Sequence, residues 1–306
     1  MKNKMVFIFS VIIVFSIVCM SFFEVVNDYI PNYIEYYKIE KKCPGEYNFC
    51  KPFKTKDELL TYLKENNPKK KFDAITLSVY VVETSEKFGL LVFLLPLIVI
   101  VNVVFKIHDE ISSGYIKNKL NRMKYSDILK EYFSSALKSA LLVPLIYTLI
   151  FLSSCVITGF NFNLTKDMQL SPGYENFKYN YFLLYSLILI LIQYILFFGY
   201  AVIGIFMSFI SKSKIVSIIL GYVYFVILCI AYLAFGAIVI KNVFGINYGE
   251  INYFNLIGNY WFFNDLTNPV FSFIVVLSIV LLNCLIVMKL IGNKEKGIIQ
   301  YEKHSS

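Results

Sequence analysis

Few side chains in this sequence could carry out chemistry on a bound substrate. The two histidines, His108 and His304, are far apart in the chain, and neither lies inside an apolar block. The sequence contains no His-Glu-x-x-His zinc motif, no Gly-x-Ser-x-Gly nucleophile turn and no Gly-x-x-x-x-Gly-Lys-Ser/Thr phosphate-binding loop. We therefore expect no catalytic residue, no metal site and no cofactor in this chain, and no ATP hydrolysis by the chain itself.

The composition is that of an integral membrane protein. Hydrophobic residues make up 58% of the chain and charged residues 16%, against about 45–50% and 25% in soluble proteins. The net charge of +8 comes from basic residues near the ends of apolar blocks. Because nucleic-acid binders concentrate such charge on one face, we expect no nucleic-acid partner.

The elements that must position any site are membrane helices, since a bilayer core takes about 20 apolar residues in a helix. The sequence predicts an all-α fold with six transmembrane helices and both termini in the cytoplasm, because basic residues favour the inner loops. We expect an uncleaved first helix and a multi-pass protein of the bacterial plasma membrane. The predicted segments are the first helix in 1–27, an extracellular domain in 28–87, the second helix in 88–107, a cytoplasmic loop in 108–138, helices three to five in 139–240, an outer segment in 241–269, the sixth helix in 270–291 and a cytoplasmic tail in 292–306.

The extracellular segment 28–87 is predicted to contain a helix over Thr55–Asn66, which a capping box begins, and a strand over Ile75–Val82, where apolar and polar residues mostly alternate. Cys43 and Cys50 could form a disulfide across this domain or remain free thiols. The outer segment 241–269 is rich in aromatic residues and is predicted either to lie in the outer leaflet or to cap the helices.

The interiors of the predicted spans contain no ionisable residue, which disfavours an ion-coupled carrier. Asn102, Gln193 and Asn283 are their notable polar residues. We expect hydrogen bonds between helices from these side chains rather than a lining of the pathway, although either role fits their chemistry. Pro96 and Pro144 are expected to kink spans two and three.

The loop between spans two and three has the clearest pattern outside the membrane. Its apolar residues recur at helical spacing, at Ile111, Tyr115, Ile116, Leu120 and Met123. This spacing predicts a short amphipathic helix, and Ser126 followed by Asp127 predicts the start of the next helix. Such a surface helix could dock in the groove of a partner protein or lie on anionic lipid.

In the same loop, Glu110 stands four residues before Gly114, and the run Tyr115-Ile-Lys-Asn-Lys-Leu120 follows. The stretch resembles the loop of type-two bacterial ABC exporter permeases. In that family an acidic residue four before a glycine is followed by a Thr-Ile-Arg-Asn-Lys-like run and by a lysine entering the third span. Lys130 matches this lysine, whereas Tyr115 replaces the usual threonine and the usual Ser-Arg pair is missing.

The resemblance implies a permease subunit of an ATP-driven exporter. It would pair with a second permease subunit, identical or different, and with separate ATP-binding subunits that hold ATP and Mg²⁺. The loop helix would be the coupling helix, turned by its acidic residue and glycine, docked through apolar residues and paired with acids of the ATPase through basic ones. The residues concerned are Glu110, Gly114, Ile116, Lys117, Lys119, Leu120 and Arg122.

A charge-free pathway suits a hydrophobic or amphipathic cargo, such as a peptide or drug. The alternative hypothesis is a membrane sensor or accessory protein that binds an extracellular ligand through 28–87. An ATP-binding partner would distinguish the two, because only the permease requires one.

Overall fold

The computed structural model describes residues 2–42, 73–163, 180–236, 238, 242 and 269–292. Within these residues all regular secondary structure is helical, and no strand is present. The predictions about Thr55–Asn66, about Cys43 and Cys50, about the aromatic residues of 241–269 and about the tail after residue 292 lie outside this described part of the chain.

The described residues form nine helices. In chain order they are α1 (Lys2–Lys42), α2 (Ala74–Thr84), α3 (Glu86–Ser112), α4 (Tyr115–Leu120), α5 (Tyr125–Ala140), α6 (Leu142–Thr158), α7 (Phe182–Ile210), α8 (Lys214–Phe235) and α9 (Pro269–Ile291).

Six helical stretches of the described chain are long and apolar enough to cross a bilayer. They are Lys4–Val25, Glu86–Ser112, Tyr125–Thr158, Phe182–Ile210, Lys214–Phe235 and Ser272–Ile291. Each overlaps one of the predicted blocks, so the prediction of an all-α protein with six candidate spans is confirmed. The chain is a multi-pass membrane protein, while the side of the membrane that each end faces stays a prediction.

The third span is built from two helices, α5 and α6, which are separated by the single residue Leu141. Pro144 lies in the first turn of α6, and its ring would clash with the carbonyl of residue 140 in an unbroken helix. Pro96, by contrast, lies inside α3 without interrupting it. The start of α5 falls within one residue of the predicted position. Lys124 precedes it, and the Lys124 side chain makes no capping hydrogen bond.

The prediction of a strand over Ile75–Val82 is also wrong, because these residues belong to α2. The Asp73 carboxylate accepts hydrogen bonds from the backbone N–H groups of Ile75 at 2.8 Å and Thr76 at 2.9 Å, which fixes the start of a helix. Thr76 and Ser78 are buried like their apolar neighbours. The alternation therefore did not separate a buried face from an exposed one.

The chain divides into two compact units. The first comprises Met1–Phe15, Leu90–Tyr147 and Leu183–Ser306. In its core, small residues let three helices approach closely: a Cβ atom on Gly204 of α7 would lie 3.2 Å from Val103 of α3, and one on Gly221 of α8 would lie 3.0 Å from Ile100. Small residues at such positions permit close packing of membrane helices.

The second unit comprises Ser16–Gly89 and Thr148–Phe182. The Glu24 carboxylate of α1 accepts hydrogen bonds from the Ser85 hydroxyl at 2.7 Å and the Lys87 backbone N–H at 3.1 Å, at the start of α3. The backbone N–H of Ala74 donates to the carbonyl of Asn161 at 2.7 Å. These bonds join α1, α2 and the chain after α6.

Candidate functional site

The candidate site is the loop between the second and third spans, in the first unit. Helix α3 continues to Ser112, and the chain then turns at Gly114, whose φ of 72° lies in the left-handed region. A side chain with a Cβ atom disfavours this conformation, which is why a glycine suits the position. The Gly114 carbonyl accepts from the Lys117 N–H at 3.1 Å as α4 begins. Gly114 thus turns the chain between α3 and α4.

One face of α4 packs against the chain itself. Ile116 is only 2% exposed, and Lys119, three residues later on the same face, is also buried. Leu120 is half-buried. The resemblance implied that Ile116 and Leu120 contact a partner, whereas in this structure Ile116 holds α4 onto its own chain.

The remaining surface of this short segment is exposed. Tyr115 and Met123 have exposed fractions of 49% and 41%, and Lys117, Asn118 and Arg122 are exposed as well. This surface, Tyr115, Lys117, Asn118, Arg122 and Met123, is called the outer face of the loop below. It combines an aromatic ring, a thioether and two basic groups, all of them exposed.

Lys119 lies in a network of four charged side chains. Its Nζ atom is 2.8 Å from an oxygen of Glu110 and 2.8 Å from an oxygen of Glu131. The other Glu131 oxygen is 3.2 Å from Nζ of Lys106. Two positive and two negative charges therefore balance, and burial of Lys119 is compensated by two charged hydrogen bonds.

The Lys119 side chain is positively charged at neutral pH. Burial lowers the pKa of its ammonium group, but the hydrogen bonds and charges of Glu110 and Glu131 outweigh burial and raise the pKa above its ordinary value. The group is therefore protonated at neutral pH.

Two aromatic rings enclose the same ammonium group. Nζ of Lys119 lies 5.5 Å from the ring centre of Tyr115 and 6.0 Å from that of Tyr132, distances within reach of a cation–π attraction. Tyr132 is buried, and its ring meets Phe209 of α7 edge-on at 6.0 Å. Lys119 therefore contacts both Tyr115 of the outer face and Tyr132 in the core of the first unit.

Further contacts join the helix ends around the loop. Asp109 of α3 forms an ion pair with Lys214 at the start of α8, and Nζ of Lys214 lies 4.5 Å from the ring centre of Phe105. The Tyr125 hydroxyl donates to the carbonyl of Ile291, the last residue of α9. The ends of α3 and α9 and the starts of α5 and α8 are therefore linked.

The polar residues predicted within the spans do not come together at one site. The Asn102 amide donates to the Ser10 hydroxyl of α1 at 3.0 Å. The Asn283 amide donates to the Gly199 carbonyl of α7 at 3.2 Å and accepts from the Tyr224 hydroxyl of α8 at 3.1 Å. Gln193 is fully buried. Asn102 and Asn283 thus link helices, and a pathway role for the three stays a prediction.

Three residues that complete the surroundings of Lys119 were not predicted from the sequence: Lys106, Glu131 and Tyr132. A signal for the network was present: Lys119 shares a helical face with Ile116, so burying that face would also bury a positive charge. Such a charge requires an acid. The spacing of residues in α4 did not show that Glu110 and Glu131 are these acids, because they lie on two other helices.

Among the described residues, no group of three or more His, Cys, Asp or Glu side chains is arranged to hold a metal ion. The sequence matches no protein-family model, and comparison with curated proteins and with solved structures finds no match either. A proposal of function must therefore rest on the residues of the chain and their contacts.

Proposed function

We propose that this chain is the membrane permease subunit of an ATP-driven exporter in a bacterial plasma membrane, and that a separate ATP-binding subunit supplies the energy. Six candidate spans support a transport role. The lack of a phosphate-binding loop in the sequence is in keeping with ATP hydrolysis by a partner. The cargo is a hydrophobic or amphipathic molecule, and a second permease subunit completes the pathway.

The main support for the proposal is that α4 packs against its own chain on one face and is exposed on the other. A left-handed glycine turns the chain directly after the second span, and a short helix follows with one face packed inward and the other exposed. This is the form expected of a lever that a partner pushes. It supports the resemblance of 110–120 to the coupling loop of type-two ABC exporters.

The docking surface of the proposal is the outer face of the loop rather than Ile116 and Leu120. Tyrosine and arginine are the residue types that most often dominate protein interfaces, and Tyr115 and Arg122 both lie on this face. An exposed ion pair contributes only about 0–1 kcal/mol. Tyr115 and Met123 are therefore expected to contribute most of the binding energy.

The test is co-purification with an ATP-binding protein whose gene neighbours that of this chain. Tyr115→Ala should weaken binding at least about tenfold, as loss of an aromatic interface residue does. Tyr181→Ala is the matched control, because Tyr181 is also an exposed tyrosine, at 61% against 49% for Tyr115, and lies outside the loop. Equal binding by wild type and Tyr115→Ala, or no binding by wild type, would contradict the proposal.

A further inference from the structure

The ion network of Lys119 joins three consecutive helices. Helix α3 provides Lys106 and Glu110, α4 provides Lys119, and α5 provides Glu131. Helix α4 has only six residues, far below the roughly 12–15 that an isolated helix needs for stability. Its orientation must therefore come from side-chain contacts such as these.

We propose that Lys119 is a positioning residue that locks α4 to the second and third spans, so that a displacement of the outer face moves both spans together. The inference rests on the proposed function, since the displacement would come from the ATP-binding subunit. It goes beyond that function in two ways. It assigns to Lys119 the link between α4 and the two spans, and it places Lys119 outside the docking surface.

The contacts around Lys119 form a continuous path from surface to core. Tyr115 is on the outer face and its ring lies 5.5 Å from Nζ of Lys119. On the inner side, Nζ lies 6.0 Å from the buried ring of Tyr132, which contacts Phe209 of α7. A push on Tyr115 is therefore passed to α5 and, through Phe209, to the fourth span.

The ionic character of the linkage matters for this role. An apolar side chain at position 119 could fill the same space, and such replacements often stabilise a protein. It would not, however, hold α3 and α5 at a fixed distance from α4, because apolar contacts have no preferred direction. Two charged hydrogen bonds of 2.8 Å do define that geometry.

The first arm of the test uses the isolated chain in lipid nanodiscs and measures amide hydrogen exchange of residues 113–124. Lys119→Met should accelerate exchange there at least about tenfold, the effect of losing charged hydrogen bonds. Lys124→Met, the same substitution at an exposed lysine of the same stretch, should not. Lys119→Arg should restore protection, and the double variant Lys119→Met with Glu110→Gln avoids an orphaned carboxylate should the single variant fold poorly.

The second arm uses the complex with the neighbouring ATP-binding subunit, and compares exchange in α5 with and without Mg-ATP. In wild type, ATP should change exchange in α5. In Lys119→Met, partner binding and ATP hydrolysis should persist while this response disappears, a separation that a general loss of stability would not produce.

The outcomes distinguish the two proposals. Unchanged exchange of 113–124 in Lys119→Met, or an α5 response that persists in that variant, would overturn the role of Lys119. Failure of the wild-type chain to bind the ATP-binding subunit would overturn the proposed function, and the first arm would still decide whether Lys119 positions α4.

Discussion

Gly114 and Lys119 have complementary roles in the loop between spans two and three. Gly114 reverses the chain at the end of α3, because only glycine adopts a φ of 72° without a steric cost. Lys119 then fixes the helix that follows, through carboxylates of α3 and α5. Gly114 sets the point at which the chain turns into α4, and Lys119 fixes α4 against α3 and α5.

Replacement of Gly114 by alanine tests the turn. The Cβ atom should destabilise the left-handed conformation by about 1–2 kcal/mol and lower the unfolding temperature in nanodiscs. Gly89→Ala is the matched control, since Gly89 lies inside α3 and an added Cβ meets nothing within 4 Å. That control should instead stabilise the chain by about 0.5–1 kcal/mol. Shifts of the same sign in both variants would contradict this account of Gly114.

The pH dependence of the Lys119 network follows from its raised pKa. A basic group whose pKa is higher in the folded state contributes its full stability below its unfolded value of about 10.5, and this contribution is lost as the pH rises from that value through the folded one. The difference in unfolding free energy between wild type and Lys119→Met should therefore be constant from about pH 6 to pH 9. Denaturant titrations at several pH values measure this difference, and a decrease between pH 7 and pH 9 would show that Lys119 is not held in its charged form.

Helices in this protein are set by contacts at their ends as much as by apolar pattern. Helix α2 begins where the buried Asp73 carboxylate accepts hydrogen bonds from two backbone N–H groups and from the Thr76 hydroxyl, the last at 2.6 Å. The third span divides at Leu141 because Pro144 follows. These contacts decide where an element starts, stops or breaks.

Removal of the Asp73 cap provides a test of α2. Asp73→Ala should cost about 0.5–2 kcal/mol and speed amide exchange over residues 74–84, because three hydrogen bonds disappear. Asp73→Asn should retain most of the protection, since asparagine caps helices about as well. If the two variants exchange equally fast, the cap does not stabilise α2.

The sequence predicted the spans well because long apolar runs allow a single solution in a bilayer, a helix that satisfies its own backbone. It failed over Ile75–Val82, where Thr76 and Ser78 alternate with apolar residues but are buried among them. For the loop, the spacing of the apolar residues predicted the short helix, whereas the turn at Gly114 was implied only by the family resemblance. The sequence missed the pairing of Lys119 because Glu110 and Glu131 lie 9 and 12 residues away in the chain, on different helices.

At the scale of the whole molecule, large apolar side chains point outward along the candidate spans, among them Phe23, Val156 and Leu183. Such a surface requires lipid around it. Several polar contacts of the described residues, among them those of Asn102 and Asn283, instead link helix to helix. Water-soluble partners are therefore expected to contact the loops. Among the described loop residues, those of the outer face of α4 are exposed for such contact.

The central claim is that the outer face of this loop contacts an ATP-binding subunit inside the cell. Photo-cross-linking in intact cells tests it directly, with benzoylphenylalanine placed at Tyr115 and, as the control, at Tyr181. The account predicts a cross-linked product with the ATP-binding subunit from position 115 and none from position 181. No such product from position 115, or equal products from both positions, would contradict it.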